Sequence, residues 1–136
     1  MAEITIHAKR TVGTATSISI RNHGITVDRP ESKGGTDAGP MGGELLLGAA
    51  AGCLMSTLIA AAHAREQDIG TVTCTVVGHL AGPPPHFESI EMTLSSDTAD
   101  PPSFEHLVIL AERGCIVANT LKSATKLAIG TSPTDG

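Results

Sequence analysis

The sequence is almost free of aromatic residues: it has no Trp or Tyr, and Phe87 and Phe104 are its two Phe residues. Apolar burial must therefore come from Leu, Ile, Val, Met and Ala, within a hydrophobic content of 40%. A chain of this length forms one modest core, so a single domain over residues 1–136 is predicted. Because that core is thin, a second copy of the chain is an expected further source of buried surface.

The chain also lacks a basic segment. Its net charge is −5 and it has no stripe of Arg with interleaved aromatics, which argues against nucleic acid as a partner. Three cysteines do not make a disulfide framework, and no signal-peptide pattern precedes the first predicted strand. The expected location is therefore a reducing compartment, the cytoplasm.

Metal and cofactor motifs are missing as well. There is no CxxC and no HExxH, and the six His residues are scattered singly. The Gly-rich segment 29–43 lacks the GK[ST] of a phosphate-binding loop, and no GxSxG is present. The sequence therefore predicts neither a metal nor a cofactor.

What the chain does have is one long uncharged run, residues 45–62 (LLLGAAAGCLMSTLIAAA), with Cys53 near its middle. These eighteen residues reach the lower length limit of a membrane span. At least half of them are Ala, Gly, Ser or Thr, however, and Glu44 and Arg65 bracket the run closely. These features favour a buried helix of a water-soluble fold over a membrane span.

A line of small residues, Gly48, Gly52 and Ser56, runs along this predicted helix. Such a line lets another backbone approach closely. Helix-packing rules allow that neighbour to belong either to the core of the same chain or to a second copy across a dimer interface.

Alternation of apolar and polar residues predicts strands, and helical periodicity fills most of the remaining chain. The predicted order is β-β-β-α-β-β-α-α-β, which favours an α+β fold with antiparallel sheets over a doubly wound fold. The predicted strands span 3–10, 16–20, 25–27, 71–77, 88–94 and 126–131; the long helix runs from about Met41 or Gly43 to about Gln67; and the shorter helices follow Asp100 and begin at Cys115.

The three cysteines occupy different predicted surroundings. Cys53 lies within the apolar helix, where loss of solvation raises the pKa of a thiol, so its activation requires a cation from elsewhere in the fold. Cys115 follows Gly114 and opens a helix, whose free N–H groups favour a thiolate. For both, the alternative is an inert packed thiol. Cys74 shares a strand face with two Val residues and is predicted to be a core residue.

Two stretches together resemble the OsmC/Ohr family of thiol-dependent hydroperoxide reductases: residues 28–54 (DRPESKGGTDAGPMGGELLLGAAAGCL) and 104–122 (FEHLVILAERGCIVANTLK). The resemblance implies an OsmC-like fold, in which antiparallel sheets pack around a long central apolar helix in an intertwined homodimer with interfacial active sites. It implies that Cys53 is the peroxidatic thiol and Cys115 the resolving thiol. It also implies organic hydroperoxides as substrates and an external dithiol as reductant, without metal or flavin.

The resemblance further implies an arginine that keeps Cys53 ionised. Arg29 is the first candidate, because OsmC-type members carry their active-site arginine in the loop ahead of the helix. Ohr-type members carry theirs nearer the first strand, which indicates Arg10, and Arg21 is a third candidate.

One position departs from the family pattern. The peroxidases have a carboxylate ten residues before the reactive Cys, but that position is Gly43 here, and Glu44 follows it. Nine residues turn a helix by about 900°, so Glu44 and Cys53 face opposite ways on a straight helix. Glu44 matches the neighbouring glutamate of the family and is the candidate for its Arg–Glu pair, and the alternative is that it caps the helix start or complements the helix dipole.

Three functions fit these residues. The first is a cysteine peroxidase for organic hydroperoxides, and the second is a non-catalytic OsmC-like dimer that binds a small apolar ligand or a partner. The third is a thiol enzyme that acts on another electrophile. Rapid loss of two thiols per hydroperoxide indicates the peroxidase. Slow, nonselective oxidation indicates the non-catalytic dimer, and rapid alkylation without peroxide turnover indicates the enzyme for another electrophile.

Overall fold

The structure is a computed structural model, and it describes residues 2–133. Its elements in chain order are β1 (His7–Lys9), β2 (Thr16–Ile20), β3 (His23–Val27), a 3-10 turn (Glu31–Lys33), α1 (Gly42–Ala64), β4 (Val72–Ala81), β5 (His86–Ser96), α2 (Pro101–Gly114) and α3 (Ile116–Lys122). Three strands form one sheet and two form another, which confirms the predicted α+β class.

Contacts divide the described residues into two compact units. The first unit holds residues 2–49 and 77–90, and the second holds residues 50–76 and 91–133. Helix α1 and strands β4 and β5 each contribute residues to both units.

The first unit contains the antiparallel meander that the alternating sequence predicts. Strand β2 pairs with β1 on one side and β3 on the other, and Ile18 lies opposite Ile25. A two-residue turn of Arg21 and Asn22 joins β2 to β3, and Arg21 closes it with a left-handed φ of 54°. Strand β1 has three residues and is therefore shorter than the predicted 3–10.

Helix α1 begins at Gly42, within the predicted range, but it ends at Ala64 and not near Gln67. The chain leaves the helix because Glu66 adopts a left-handed conformation with a φ of 53°. The N–H of Gln67 then bonds back to the carbonyl of Ala62 at 2.9 Å, which closes the last turn.

Strands β4 and β5 are longer than predicted, with 10 and 11 residues, and partly buried residues alternate with exposed ones along most of each strand. The predicted strand 126–131 is wrong: these residues form no strand in the described chain, and Leu127 and Ile129 are 82% and 88% exposed. Alternation alone does not make a strand, because its backbone groups also need a partner strand.

A buried core fills the second unit, and helical spacing explains its members. Helix α1 contributes residues four positions apart, which lie on one face, and α2 contributes its own apolar stripe. Leu58 and Leu107 are completely buried, and burial of one such side chain stabilises a fold by about 1.5–3 kcal/mol. The cluster comprises Leu54, Leu58, Ala62, Phe104, Leu107, Ala111, Cys115 and Ala118.

Helix α1 is long and apolar enough, by length and composition alone, to cross a membrane. The central helix of a water-soluble fold has the same length and composition. Two large apolar side chains along it are exposed, Leu46 at 40% and Ile59 at 55%.

Candidate active site

The two cysteines that the sequence singles out lie together in the second unit. Cys53 is in the middle of α1, where its partly buried side chain packs against the core cluster. Cys115 lies between α2 and α3 and is completely buried. A side-chain hydrogen bond links the two cysteines, so the fold makes a thiol pair from residues far apart in sequence.

The surroundings of Cys53 lower the pKa of its thiol. The largest cause is a hydrogen bond from the backbone N–H of Val117, in the first turn of α3. The Cys115 side chain, the N–H of Ile116 and the hydroxyl of Thr57 lower the pKa further, while burial opposes them. Burial raises the pKa of Cys53 as predicted, but the net shift is downward because hydrogen-bond donors from the start of α3 outweigh burial.

The surroundings of Cys115 raise the pKa of its thiol. Loss of solvation is the largest cause, and the hydrogen bond and charge of Cys53 act in the same direction. Cys115 is the N-cap of α3, and its Sγ accepts the N–H of Ala118 at 3.4 Å. The N–H groups at the start of α3 lower the pKa of Cys115, as the sequence indicates, but burial outweighs them, and the N–H of Val117 acts mainly on Cys53.

The thiol pair is therefore chemically asymmetric: Cys53 ionises more readily, and Cys115 keeps its proton. A thiolate is the nucleophilic form of cysteine, so Cys53 is suited to attack an electrophile, and the adjacent thiol is suited to form a disulfide afterwards. Within residues 2–133, no group of three or more His, Cys, Asp or Glu side chains is placed to hold a metal ion.

The third cysteine, Cys74, has other surroundings. It is partly buried on β4, and loss of solvation raises the pKa of its thiol. No opposing hydrogen bond is among the causes of that shift, in contrast to Cys53. Partial burial on the strand face agrees with the packing role predicted for Cys74.

Glu44 lies in the first unit, in the first turn of α1. Its Oε1 accepts the N–H of Met41 at 2.9 Å, which confirms that Glu44 caps the helix start. No ion pair joins Glu44 to Arg29 in the part of the chain that the structure describes.

The three candidate arginines all lie in the first unit but in different surroundings. Arg29 borders a cleft of about 720 Å³, which Lys33 and the start of α1 also line. The Nε of Arg10 donates to the carbonyl of Gly13 at 2.9 Å, and Arg21 is part of the β2–β3 turn. Of the three candidate arginines, Arg29 is thus the one that lines this cleft.

A residue that the sequence analysis did not single out organises this cleft. Asp28, at the end of β3, is buried, and five hydrogen bonds surround its carboxylate. Oδ1 accepts from the Thr14 hydroxyl at 2.8 Å and the Arg29 N–H at 2.7 Å. Oδ2 accepts from the Thr36 hydroxyl at 2.6 Å and from the N–H groups of Thr36 and Ala38, each at 3.1 Å. These donors, led by the Thr36 hydroxyl, hold the pKa of Asp28 well below its usual range.

This network holds the Gly-rich segment 29–43 in place through bonds from Arg29, Thr36 and Ala38 to Asp28. A 3-10 turn forms at Glu31–Lys33. A side chain at Gly35 would overlap the carbonyl of Arg29, and one at Gly39 would overlap the carbonyl of Thr26. The available sequence signal was an Asp directly after a strand, since Asp accepts hydrogen bonds from the N–H groups of a following turn.

Comparison with known proteins agrees with this fold. A family model described as OsmC-like protein matches residues 34–130, so the chain belongs to the OsmC-like family. This confirms the resemblance carried by the two sequence stretches. No curated protein sequence matches the chain.

Solved structures of the same fold include proteins named for hydroperoxide resistance. An OsmC-like protein from Mycoplasma pneumoniae is 20% identical, with a TM-score of 0.77 over 89% of this chain and 88% of that one. An osmotic stress induced and detoxification response protein from Psychrobacter arcticus is 19% identical, with a TM-score of 0.76 over 88% and 89%. An organic hydroperoxide resistance protein from Elizabethkingia anophelis, with thiocyanate bound, is 19% identical, with a TM-score of 0.68 over 89% and 90%.

Proposed function

We propose that this protein is a thiol-dependent peroxidase that reduces organic hydroperoxides. The observation that carries the proposal is the asymmetric thiol pair, in which Cys53 ionises readily beside a second, protonated thiol. Membership of the OsmC-like family and the names of structural neighbours such as the Elizabethkingia protein support it. Free cysteines suit a reducing compartment, so we propose that it acts in the cytoplasm.

In the first step, the Cys53 thiolate attacks the terminal oxygen of the hydroperoxide. A sulfur–oxygen bond forms as the oxygen–oxygen bond breaks, and the alkoxide leaves, takes up a proton and departs as the alcohol. Cys53 becomes a sulfenic acid. The N–H groups that hold the thiolate before the reaction are those of Val117 and Ile116.

In the second step, Cys115 condenses with the sulfenic acid to a disulfide and releases water. Cys115 needs to lose its proton at this point and not before. The charge of the Cys53 thiolate is one cause of the raised pKa of Cys115. Oxidation of Cys53 removes that charge, so the pKa of Cys115 falls when its thiolate is required. An external dithiol then restores both thiols by exchange.

We propose Arg29 as the cation that stabilises the Cys53 thiolate and the developing charge. The resemblance of its loop to the loop of OsmC-type members supports this choice. Arg29→Met should slow thiol loss with peroxide, while Arg29→Lys, which keeps the charge, should retain part of the rate. Equal rates in Arg29→Met and the unchanged protein would exclude Arg29.

We also propose that the protein is a homodimer. The support is the apolar surface that one chain leaves exposed: Leu46 and Ile59 on α1, Ile109 on α2 and Ile116 at the start of α3. Exposed apolar area of this kind favours association. Light scattering of the purified chain should give twice the monomer mass, and a monomeric mass would contradict the proposal.

The alternative function is ligand binding without turnover, and the cleft beside Arg29 favours it. Its wall combines apolar side chains such as Val27 and Met41 with two cations, which is the composition of a small-molecule site. In that case hydroperoxides would oxidise the thiols slowly and without selectivity.

The test is a titration of the reduced protein with cumene hydroperoxide, followed by counting free thiols. One equivalent should rapidly consume two thiols, and Cys53→Ser should abolish the reaction. In Cys115→Ser, the Cys53 sulfenic acid should persist and be trapped by dimedone. Cys74→Ser is the matched control and should react like the unchanged protein. Slow thiol loss that is equal in Cys53→Ser and Cys74→Ser would reject the peroxidase.

A further inference from the structure

Thr57 is a polar residue on α1 to which the reaction above gives no role. It lies four residues after Cys53, and residues at this spacing are neighbours on one helix face. Its hydroxyl donates to the carbonyl oxygen of Cys53 at 2.8 Å. This bond to the preceding turn fixes the rotamer of Thr57 and holds Oγ1 on the side of residue 53.

The methyl group of Thr57 has a separate neighbour. A Cβ placed on Gly114, the residue before Cys115, would lie 3.4 Å from Cγ2 of Thr57. This is an ordinary van der Waals distance, so the methyl group of Thr57 lies next to the α2–α3 junction. The two branches of Thr57 thus have different roles, because the methyl packs against the junction while the hydroxyl faces Cys53.

We propose that Thr57 is a positioning residue whose hydroxyl proton turns from the carbonyl of Cys53 to its sulfur when the thiol ionises. The inference rests on the proposed function, in which the Cys53 thiolate is the attacking group. A hydroxyl has one proton and rotates without movement of heavier atoms. A neutral thiol accepts hydrogen bonds weakly, so the carbonyl holds the proton first, but a charged sulfur is the stronger acceptor.

The surroundings of Cys53 make this one proton matter. Helix α1 carries no other ionisable residue within eight positions on either side of Cys53. From the α2–α3 junction, the ionisable group in contact with it is Cys115. The Thr57 hydroxyl is among the causes that lower the pKa of Cys53, together with N–H groups that backbone geometry fixes. The Thr57 hydroxyl is thus a side-chain group that stabilises the Cys53 thiolate, and a substitution can remove it.

The test compares Thr57→Val, which keeps the shape and removes the hydroxyl, with Thr57→Ser, which keeps the hydroxyl and removes the methyl. Iodoacetamide labelling of Cys53 is followed against pH by mass spectrometry, in a Cys74→Ser background. We expect Thr57→Val to label about tenfold more slowly at a fixed pH below the pKa, with the profile moved to higher pH. Thr57→Ser should follow the parent profile, as should Ser56→Ala, which removes an exposed neighbouring hydroxyl.

The opposite pattern would overturn the proposal: a normal profile in Thr57→Val and a shifted one in Thr57→Ser would mean that the methyl group acts by packing. Circular dichroism melting of each variant identifies loss of folding. Labelling requires no peroxide, so the positioning role of Thr57 and the peroxidase function can be rejected independently of each other. A shifted Thr57→Val profile without peroxide turnover supports the positioning role and rejects the peroxidase, while peroxide turnover with an unshifted Thr57→Val profile rejects the positioning role.

Discussion

Asp28 and Cys53, one in each compact unit, are anionic or readily ionised groups held by the same kinds of donor, backbone N–H groups and Thr hydroxyls. They differ in how completely they are surrounded. Five hydrogen bonds fill the acceptor positions of the buried Asp28 carboxylate, which therefore has no capacity left for a reactant. Cys53 is only partly buried, in contrast to Asp28. An anion whose acceptor positions are all hydrogen-bonded organises the structure around it, whereas an anion with free acceptor positions is available for chemistry.

The largest expected effect on stability comes from placing a side chain at Gly35, within the segment 29–43 that donates hydrogen bonds to Asp28. A Cβ there would overlap the backbone of Arg29, so the loop has to move and Asp28 loses donors. We expect Gly35→Ala to lower the free energy of unfolding by about 2 kcal/mol or more, measured by urea denaturation. Gly24→Ala is the control, because a Cβ at Gly24 meets nothing, and it should change stability little. Equal stability of both variants would mean that the close approach at Gly35 is not required.

The second effect tests whether Asp28 acts through its charge. Its pKa is lower in the folded than in the unfolded chain, so the unfolded chain binds more protons at acid pH. The stabilisation is therefore complete above the unfolded pKa of about 3.9 and is lost as the pH falls below it. Asp28→Asn should melt several degrees lower at pH 7 and show a weaker dependence of melting temperature on acid pH. An unchanged acid dependence would show that other carboxyl groups cause it.

The smallest effect compares the three thiols. Cys53 has a lowered pKa, whereas the pKa values of Cys74 and Cys115 are raised. Under a limiting amount of iodoacetamide near neutral pH, Cys53 should be labelled at least about tenfold faster than either of the others. Peptide mass spectrometry gives the three rates from one sample. Faster labelling of Cys115 would reverse the assigned roles.

Local patterns in the sequence predicted much of the fold. Period-two alternation located β2, β4 and β5, and the uncharged run located α1, because these signals depend on residues close in the chain. The strand predicted over 126–131 shows the limit of this reasoning. Its alternation is real, but pairing depends on a partner strand that local sequence does not specify.

The sequence predicted which cysteines form the candidate site, but it did not predict the pKa shifts of their thiols. Sequence and resemblance indicated Cys53 and Cys115, and the predicted effects of burial on Cys53 and of helix N–H groups on Cys115 are present, but other causes outweigh them in both net pKa shifts. The reason is that the Val117 N–H reaches Cys53 only after α3 folds against α1, and no property of α1 alone reveals this. Asp28 was missed for a similar reason, since its donors come from loop segments on both sides of it in the sequence.

The sulfur of Cys115 does two jobs, because it also accepts the Ala118 N–H as the N-cap of α3. When Cys115 forms a disulfide, its Sγ differs from a thiol sulfur in orientation and in partial charge. The hydrogen bond from the amide of Ala118 to this sulfur is therefore lost or changed on oxidation. The NMR resonance of that single amide should then report the redox state of the protein without any added label, with separate peaks for the dithiol and disulfide forms.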